Sequence, residues 1–199
     1  MFDTIVDVIA KGGYLAVFAL MAIENIFPPI PSEMIMPFAG FTAARGDLNI
    51  IGVLLAGTGG SVAGTLPWYY LGKLYGKERI MRLADRHGRW LTISEIEVGK
   101  ALQFFLRHGG KAVFFGRLIP AIRTLISIPA GIAAMSLVRF LAYSTAGSLI
   151  WTGLLTAAGV LLKAQYAIVA TYVDPVSKAV IGLIVAVYLY RLITYRAAS

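Results

Sequence analysis

The sequence predicts an all-α polytopic membrane protein built as an inverted repeat, and three observations carry that reading. Of its 199 residues, 58% are hydrophobic and only 14% are charged, against roughly 25% charged in a soluble domain; mean hydropathy is +0.77. Two runs, 48–72 and 140–162, hold no charge at all, and each exceeds the ~20 residues needed to cross a hydrocarbon core. Two further apolar stretches are broken by prolines and carry charges of opposite sign. The length suits a single membrane domain over 1–199.

The first element is the apolar stretch 12–44, interrupted by Pro28, Pro29, Pro31 and Pro37. Proline removes a backbone donor and disfavours helix in the residue before it, so a Pro-Pro-Ile-Pro run cannot continue a helix. In lipid such a break must be buried in protein or line a wet cavity. The sequence therefore predicts a re-entrant helical hairpin over 12–44, turning at Pro28, Pro29 and Pro31. A transmembrane helix follows at 48–72, and the two make a first repeat, 12–73. The helix carries Gly52, Ala56, Gly60 and Gly64 at spacing four, a small-residue stripe that lets helices approach closely. Packing is the simplest role for Gly52, Gly60 and Gly64, seating a hairpin; the stripe also allows a homodimer.

Residues 74–108 form a basic amphipathic loop. Nine of the eighteen Lys/Arg, but only four acids, fall between 73 and 111. By the positive-inside rule this segment is cytoplasmic. Its charge suits anionic headgroups, at ~1 kcal/mol per basic residue near the surface, better than nucleic acid in so apolar a chain. Within it, "SEIE" from Ser94 fits a capping box. Val98, Ala101, Leu102 and Phe105 follow at helical spacing, and Gly109 and Gly110 suit the stop.

The second repeat, 109–163, predicts a hairpin over 111–135, turning near Pro120, and a transmembrane helix over 139–162. Its likeness to the first is in the text: "GGYLAVF" at 12 and "GGKAVFF" at 109, "IPSEMIMPFAG" at 30 and "IPAIRTLISIPAG" at 119. Gly57 stands sixteen residues before Lys73, as Gly147 does before Lys163. With the basic loop between them the hairpins lie on opposite sides, the plan of many transporters. A further transmembrane helix, 174–195, is built around "AVIGLIVAVYLY"; Arg191 and Arg196 then mark a cytoplasmic C-terminus.

Glu24 and Glu33 flank the first turn, and Arg117 and Arg123 flank the second. A charge in a membrane costs at least ~2.5–3.5 kcal/mol on insertion scales, so such groups pair or face water. Opposed hairpins bring these tips together near the midplane. One reading is a set of ion pairs locking the hairpins. The other is a site: arginine forks suit phosphate or carboxylate, and the acids can titrate, since burial and neighbouring arginines act on them in opposite senses. Enzyme signatures are thin. There is no cysteine, which excludes thiol catalysis and disulfides. His87 and His108 are far apart in sequence, and no metalloprotease, nucleophile-elbow or P-loop pattern occurs, so no catalytic or metal-binding residue is assigned. Trp68, Tyr69 and Tyr70 read as an aromatic belt. The opening "MFDTIVDVIAKGG" has acids where a cleavable leader has basic residues.

"ENIFPPIPSEMIMPFAG" followed by "FFGRLIPAIRTLISIPAG" resembles the DedA membrane proteins, which share the VTT or SNARE-associated Golgi protein domain. The resemblance runs over 12–163. It implies opposed re-entrant hairpins and lipid translocation in a bacterial cytoplasmic membrane, with undecaprenyl phosphate the leading substrate and phospholipid another. The family's functional acids fall on Glu24 and Glu33 and its arginines on Arg117 and Arg123. The arginines would hold the phosphate and the acids gate or couple, through H⁺ or Na⁺, with no other cofactor. Two alternatives stay open: an ion-coupled transporter of a small solute, and a non-transporting scaffold for envelope assembly.

Overall fold

A computed structural model describes residues 2–27, 32–91, 95–120 and 122–161. These residues form seven helices with no strand: α1 (Phe2–Ile26), α2 (Ser32–Ala44), α3 (Ile50–Leu91), α4 (Glu95–His108), α5 (Gly110–Arg117), α6 (Ser127–Ile132) and α7 (Leu137–Leu161). Three segments are long and apolar enough to cross a membrane: Val8–Ile26, Ile50–Arg79 and Leu137–Leu161. The first of them was expected to be one arm of a hairpin. Pro28, Pro29 and Pro31, Ser94 of the capping box, and the C-terminal helix 174–195 with Arg191 and Arg196 lie outside the described residues.

Local breaks follow the sequence. α1 kinks at Gly13 (φ 54°, ψ −134°), a conformation open only to glycine at low cost. Gly109 (φ 51°) turns α4 into α5 in the same way. Asn49 accepts the amide of Ile51 at 2.8 Å and so caps α3. Its own amide donates to Tyr14 Oη at 2.7 Å, tying α1 just past its kink to the start of α3. The basic segment is helical through most of its length, as the second part of α3 and as α4. Leu102 and Phe105 of α4 are buried, while Phe104 and Leu106 are exposed.

The helices pack through glycines pressed against backbone carbonyls. Gly60 of α3 meets the carbonyl of Phe18 in α1, and Gly147 of α7 meets that of Phe114 in α5. Gly40 of α2 meets Thr156 of α7, and Gly131 of α6 meets Tyr69 of α3. Gly72 meets Ile128, and Gly159 meets Pro37. An added Cβ would collide at each place. Thus α1 lies on α3 and α5 on α7, while α2 crosses to α7 and α6 crosses to α3. By contact, Gly60 resembles Gly147, each abutting a phenylalanine carbonyl, whereas Gly57, the glycine paired with Gly147 by its distance from a lysine, abuts the Met36 side chain. Distance from a downstream lysine does not fix register; contact with a carbonyl does. The small-residue stripe is covered within the chain, since Gly60 and Gly64 abut α1 carbonyls and Gly52 abuts the Tyr14 ring.

α3 and α7 run antiparallel, with Thr58 Oγ1 3.0 Å from Thr152 Oγ1 and Ser61 Oγ 3.4 Å from Ser148 Oγ. Two apolar cores sit along this pair. One includes Val17, Met21, Ile35, Met36 and Val53, with Ala56 and Leu155 packed against it. The other includes Tyr69, Phe105, Val113 and Phe140, with Leu66 and Leu141. Tyr69 is therefore not an aromatic-belt residue. It is fully buried, stacks on Phe140 with ring centroids 4.6 Å apart and donates its hydroxyl to the Met135 carbonyl. Tyr70 is exposed. Leu15, Leu55, Leu74, Val138 and Leu154 also point outward, as a lipid-facing surface requires.

Candidate functional site

Between the two apolar cores, Ser61 in the first part of α3 meets Ser148 near the middle of α7. The buried charges of the described residues collect here: Glu24 at the end of α1, Arg117 as the last residue of α5, and Arg123 in the turn between α5 and α6. Helix ends position them. α1 ends two residues beyond Glu24, and α5 ends at Arg117 before a turn that holds Pro120, itself exposed.

Arg117 is 1% exposed, and every N–H of its guanidinium has an acceptor. Nε donates to Ser148 Oγ at 3.1 Å. Nη1 donates to Asn25 Oδ1 at 3.3 Å and to the Arg123 carbonyl at 2.9 Å. Nη2 donates to Ser61 Oγ at 2.9 Å, the Ser61 carbonyl at 3.3 Å and Ser148 Oγ at 2.7 Å. All these acceptors are neutral, so hydrogen bonding is satisfied while the charge meets no carboxylate.

Arg123 is in the opposite condition. Its Nη2 forms an ion pair with Glu24 Oε1, but Nη1 is buried and has no partner among the described residues. Its guanidinium lies over the Trp151 ring, 5.8 Å from the centroid, a cation–π contact that holds it in place. Trp151 Nε1 in turn donates to Ser32 Oγ at 3.3 Å. Asn25 closes a ring: its Nδ2 donates to Glu24 Oε2 at 2.6 Å and to the Met21 carbonyl at 2.9 Å. The circuit thus runs Arg117, Asn25, Glu24, Arg123 and back through the Arg123 carbonyl. Trp68 Nε1 holds the Asn25 carbonyl at 3.0 Å.

Two guanidiniums and one carboxylate leave this buried cluster with one surplus positive charge. Glu33 does not enter the ring. It sits in the first turn of α2 and is exposed, within electrostatic range of Glu24. Of the four charges marked by the sequence, then, the fold brings together three. Asn25, Ser61, Ser148 and Trp151 escaped sequence reasoning. The signal for two of them was a Gly-Ser pair halfway along each span, at 60–61 and 147–148. No group of three or more His, Cys, Asp or Glu among the described residues is placed to hold a metal.

A model of the VTT domain matches residues 30–161. The chain belongs to the VTT domain family. An alkaline phosphatase-like protein of Lactococcus lactis subsp. cremoris is 40% identical over 196 residues, which covers 98% of this chain and 92% of that protein. Undecaprenyl phosphate transporter A of Staphylococcus aureus is 34% identical over 195 residues, 98% of this chain and 96% of its own. Its Bacillus subtilis namesake is 30% identical over 185 residues, 91% and 90%. No solved structure matches. The VTT domain match takes in both arginines, Ser61 and Ser148 but begins after Glu24 and Asn25, so the cluster joins the family domain to the helix before it.

Proposed function

We propose that this protein is a lipid translocase that moves a phosphate-bearing lipid, with undecaprenyl phosphate the leading substrate, between the leaflets of the bacterial cytoplasmic membrane. The observation that carries the reading is the surplus positive charge buried between the two apolar cores, where α3 and α7 bring Ser61 and Ser148 together. A phosphate headgroup neutralises that surplus while its tail stays in lipid. Relatives of nearly equal length named as undecaprenyl phosphate transporters support the same class. Their names favour transport over enzymatic catalysis.

The packing supports an internal repeat of opposite sense. The matched glycine contacts pair Gly60 with Gly147, Gly72 with Gly159 and Gly40 with Gly131. On this reading each half is a hairpin whose first arm lies on its own spanning helix and whose second arm crosses to the other. The Ser61–Ser148 contact pairs equivalent residues of two antiparallel helices, and so lies on the pseudo-twofold axis. Repeats related in this way place the site at their junction. Glu24 gates Arg123, and Glu33, at the exposed edge, is the acid placed to exchange H⁺ or Na⁺. The basic segment and the C-terminus face the cytoplasm. A homodimer would need a surface other than the stripe at Gly52, Gly60 and Gly64, which α1 covers.

The test is reconstitution in liposomes with a labelled prenyl phosphate in one leaflet. Translocation above protein-free vesicles, lost in Arg123→Gln, is the expected result. Equal flux with and without protein, or through the variant, rejects the reading.

A further inference from the structure

Resting on the reading above, we infer that the two buried arginines do different work: Arg123 alone contacts the phosphate, by exchanging its bond to Glu24 for one to the headgroup, while Arg117 stays fixed as a brace. Both arginines were expected to bind substrate. Their donors say otherwise. Withdrawing Arg117 toward a ligand would strip Ser61, Ser148 and Asn25 of their partner in the middle of the helix packing. Arg117 contributes its charge at a distance and spends its hydrogen bonds on protein.

Arg123 has the reverse geometry. Its side chain is 5% exposed, yet Nη1 has no acceptor among the described residues, and a buried charged donor without a partner is costly. A phosphate can accept from Nη1 at once and from Nη2 when Glu24 withdraws, the bidentate arrangement arginine favours. Glu24 is then a tethered anion that occupies one prong of the fork while the site is empty. Its release frees Oε1 but leaves the carboxylate anchored, because Oε2 remains bonded to Asn25, and Asn25 is held by Arg117. The brace thus positions the group that receives the displaced acid. Trp151 beneath the guanidinium keeps the fork aimed during the exchange.

The recognised chemistry is a phosphate with two free oxygens, supplied by a lipid headgroup or by free phosphate. The experiment is equilibrium binding of farnesyl phosphate to the full chain in detergent, with inorganic phosphate as competitor and melting temperature recorded in parallel. Glu24→Gln removes the internal competitor's charge and should bind farnesyl phosphate about tenfold more tightly than wild type. Should that variant not purify, Glu24→Ala carries the same expectation. Arg123→Gln should lose saturable binding. Arg117→Lys should melt earlier yet bind within about twofold of wild type. Wild-type binding with no gain in the Glu24 variants, or loss in Arg117→Lys as complete as in Arg123→Gln, overturns the exchange and leaves the transport reading standing. Wild-type protein that binds neither probe overturns both. Inorganic phosphate competing as well as farnesyl phosphate overturns the lipid source.

Discussion

The two halves of the molecule match in packing and differ in polarity. In each, a glycine of the spanning helix rests on a phenylalanine carbonyl of the helix two before it, Gly60 on Phe18 and Gly147 on Phe114. Three residues beyond those phenylalanines stand Met21 and Arg117, both fully buried. The first half thus places a neutral thioether where the second places a guanidinium. The first half also supplies the carboxylate of the cluster, Glu24, and the second supplies both arginines. Glycine–carbonyl contacts need only small residues and tolerate symmetry. The buried charges break the likeness that the glycine contacts keep.

The largest effects should come from the packing that the halves share. Gly40→Leu and Gly131→Leu each drive a side chain into a backbone carbonyl, of Thr156 and Tyr69 respectively. Each should cost about 3 kcal/mol, the upper part of the range for overpacking, measured by reversible unfolding in detergent. Near-equal losses uphold the match between the halves. A leucine tolerated at one position and ruinous at the other breaks it.

Arg117→Met makes the second half like the first at the place where they differ most. The change leaves Asn25 Oδ1 and the Arg123 carbonyl without their donor, while it also removes a buried charge. Leaving buried acceptors unsatisfied outweighs that relief, and the variant should lose about 2 kcal/mol. A variant as stable as wild type by the same unfolding measurement would show that Arg117 is no brace. Gly153→Ala in α7 is the contrasting change. Nothing lies within 4 Å of the added Cβ, so helix propensity should dominate and stabilise by up to about 1 kcal/mol. A loss there would mean that glycine in this helix has a role beyond close contact.

The residues that announced themselves in the sequence were those that are expensive in a membrane. Glu24, Arg117 and Arg123 stood out because no apolar stretch carries charge without cause, and the prolines beside them marked where helices end. The neutral members of the cluster gave no such signal. Asn25, Ser61 and Ser148 are ordinary residues for a helix interior, and their importance comes from what the fold sets opposite them. The register of the halves was hidden for a related reason: glycines are frequent here, and only contact with a carbonyl distinguishes Gly60 from Gly57. Tyr69 read as an interfacial aromatic because sequence position near a helix end cannot reveal that α6 and Phe140 cover it. Nor did the spacing of Glu24 and Glu33 reveal that one is buried and the other exposed.

That last difference gives the smallest expected effect on stability and the sharpest on mechanism. Glu33 lies in the first turn of α2, where its charge gains only a modest interaction with the helix N-terminus. Glu33→Gln should therefore shift stability by less than about 0.5 kcal/mol. Glu33 is exposed and stands outside the buried ring, whereas Glu24 is occupied by Arg123 and Asn25. If Glu33 couples transport to an ion, the variant should still move labelled prenyl phosphate down its own gradient in liposomes. It should no longer respond when a pH or Na⁺ gradient is imposed. A gradient response equal to that of wild type removes Glu33 from the mechanism and leaves the second half's arginines answered by a single acid of the first.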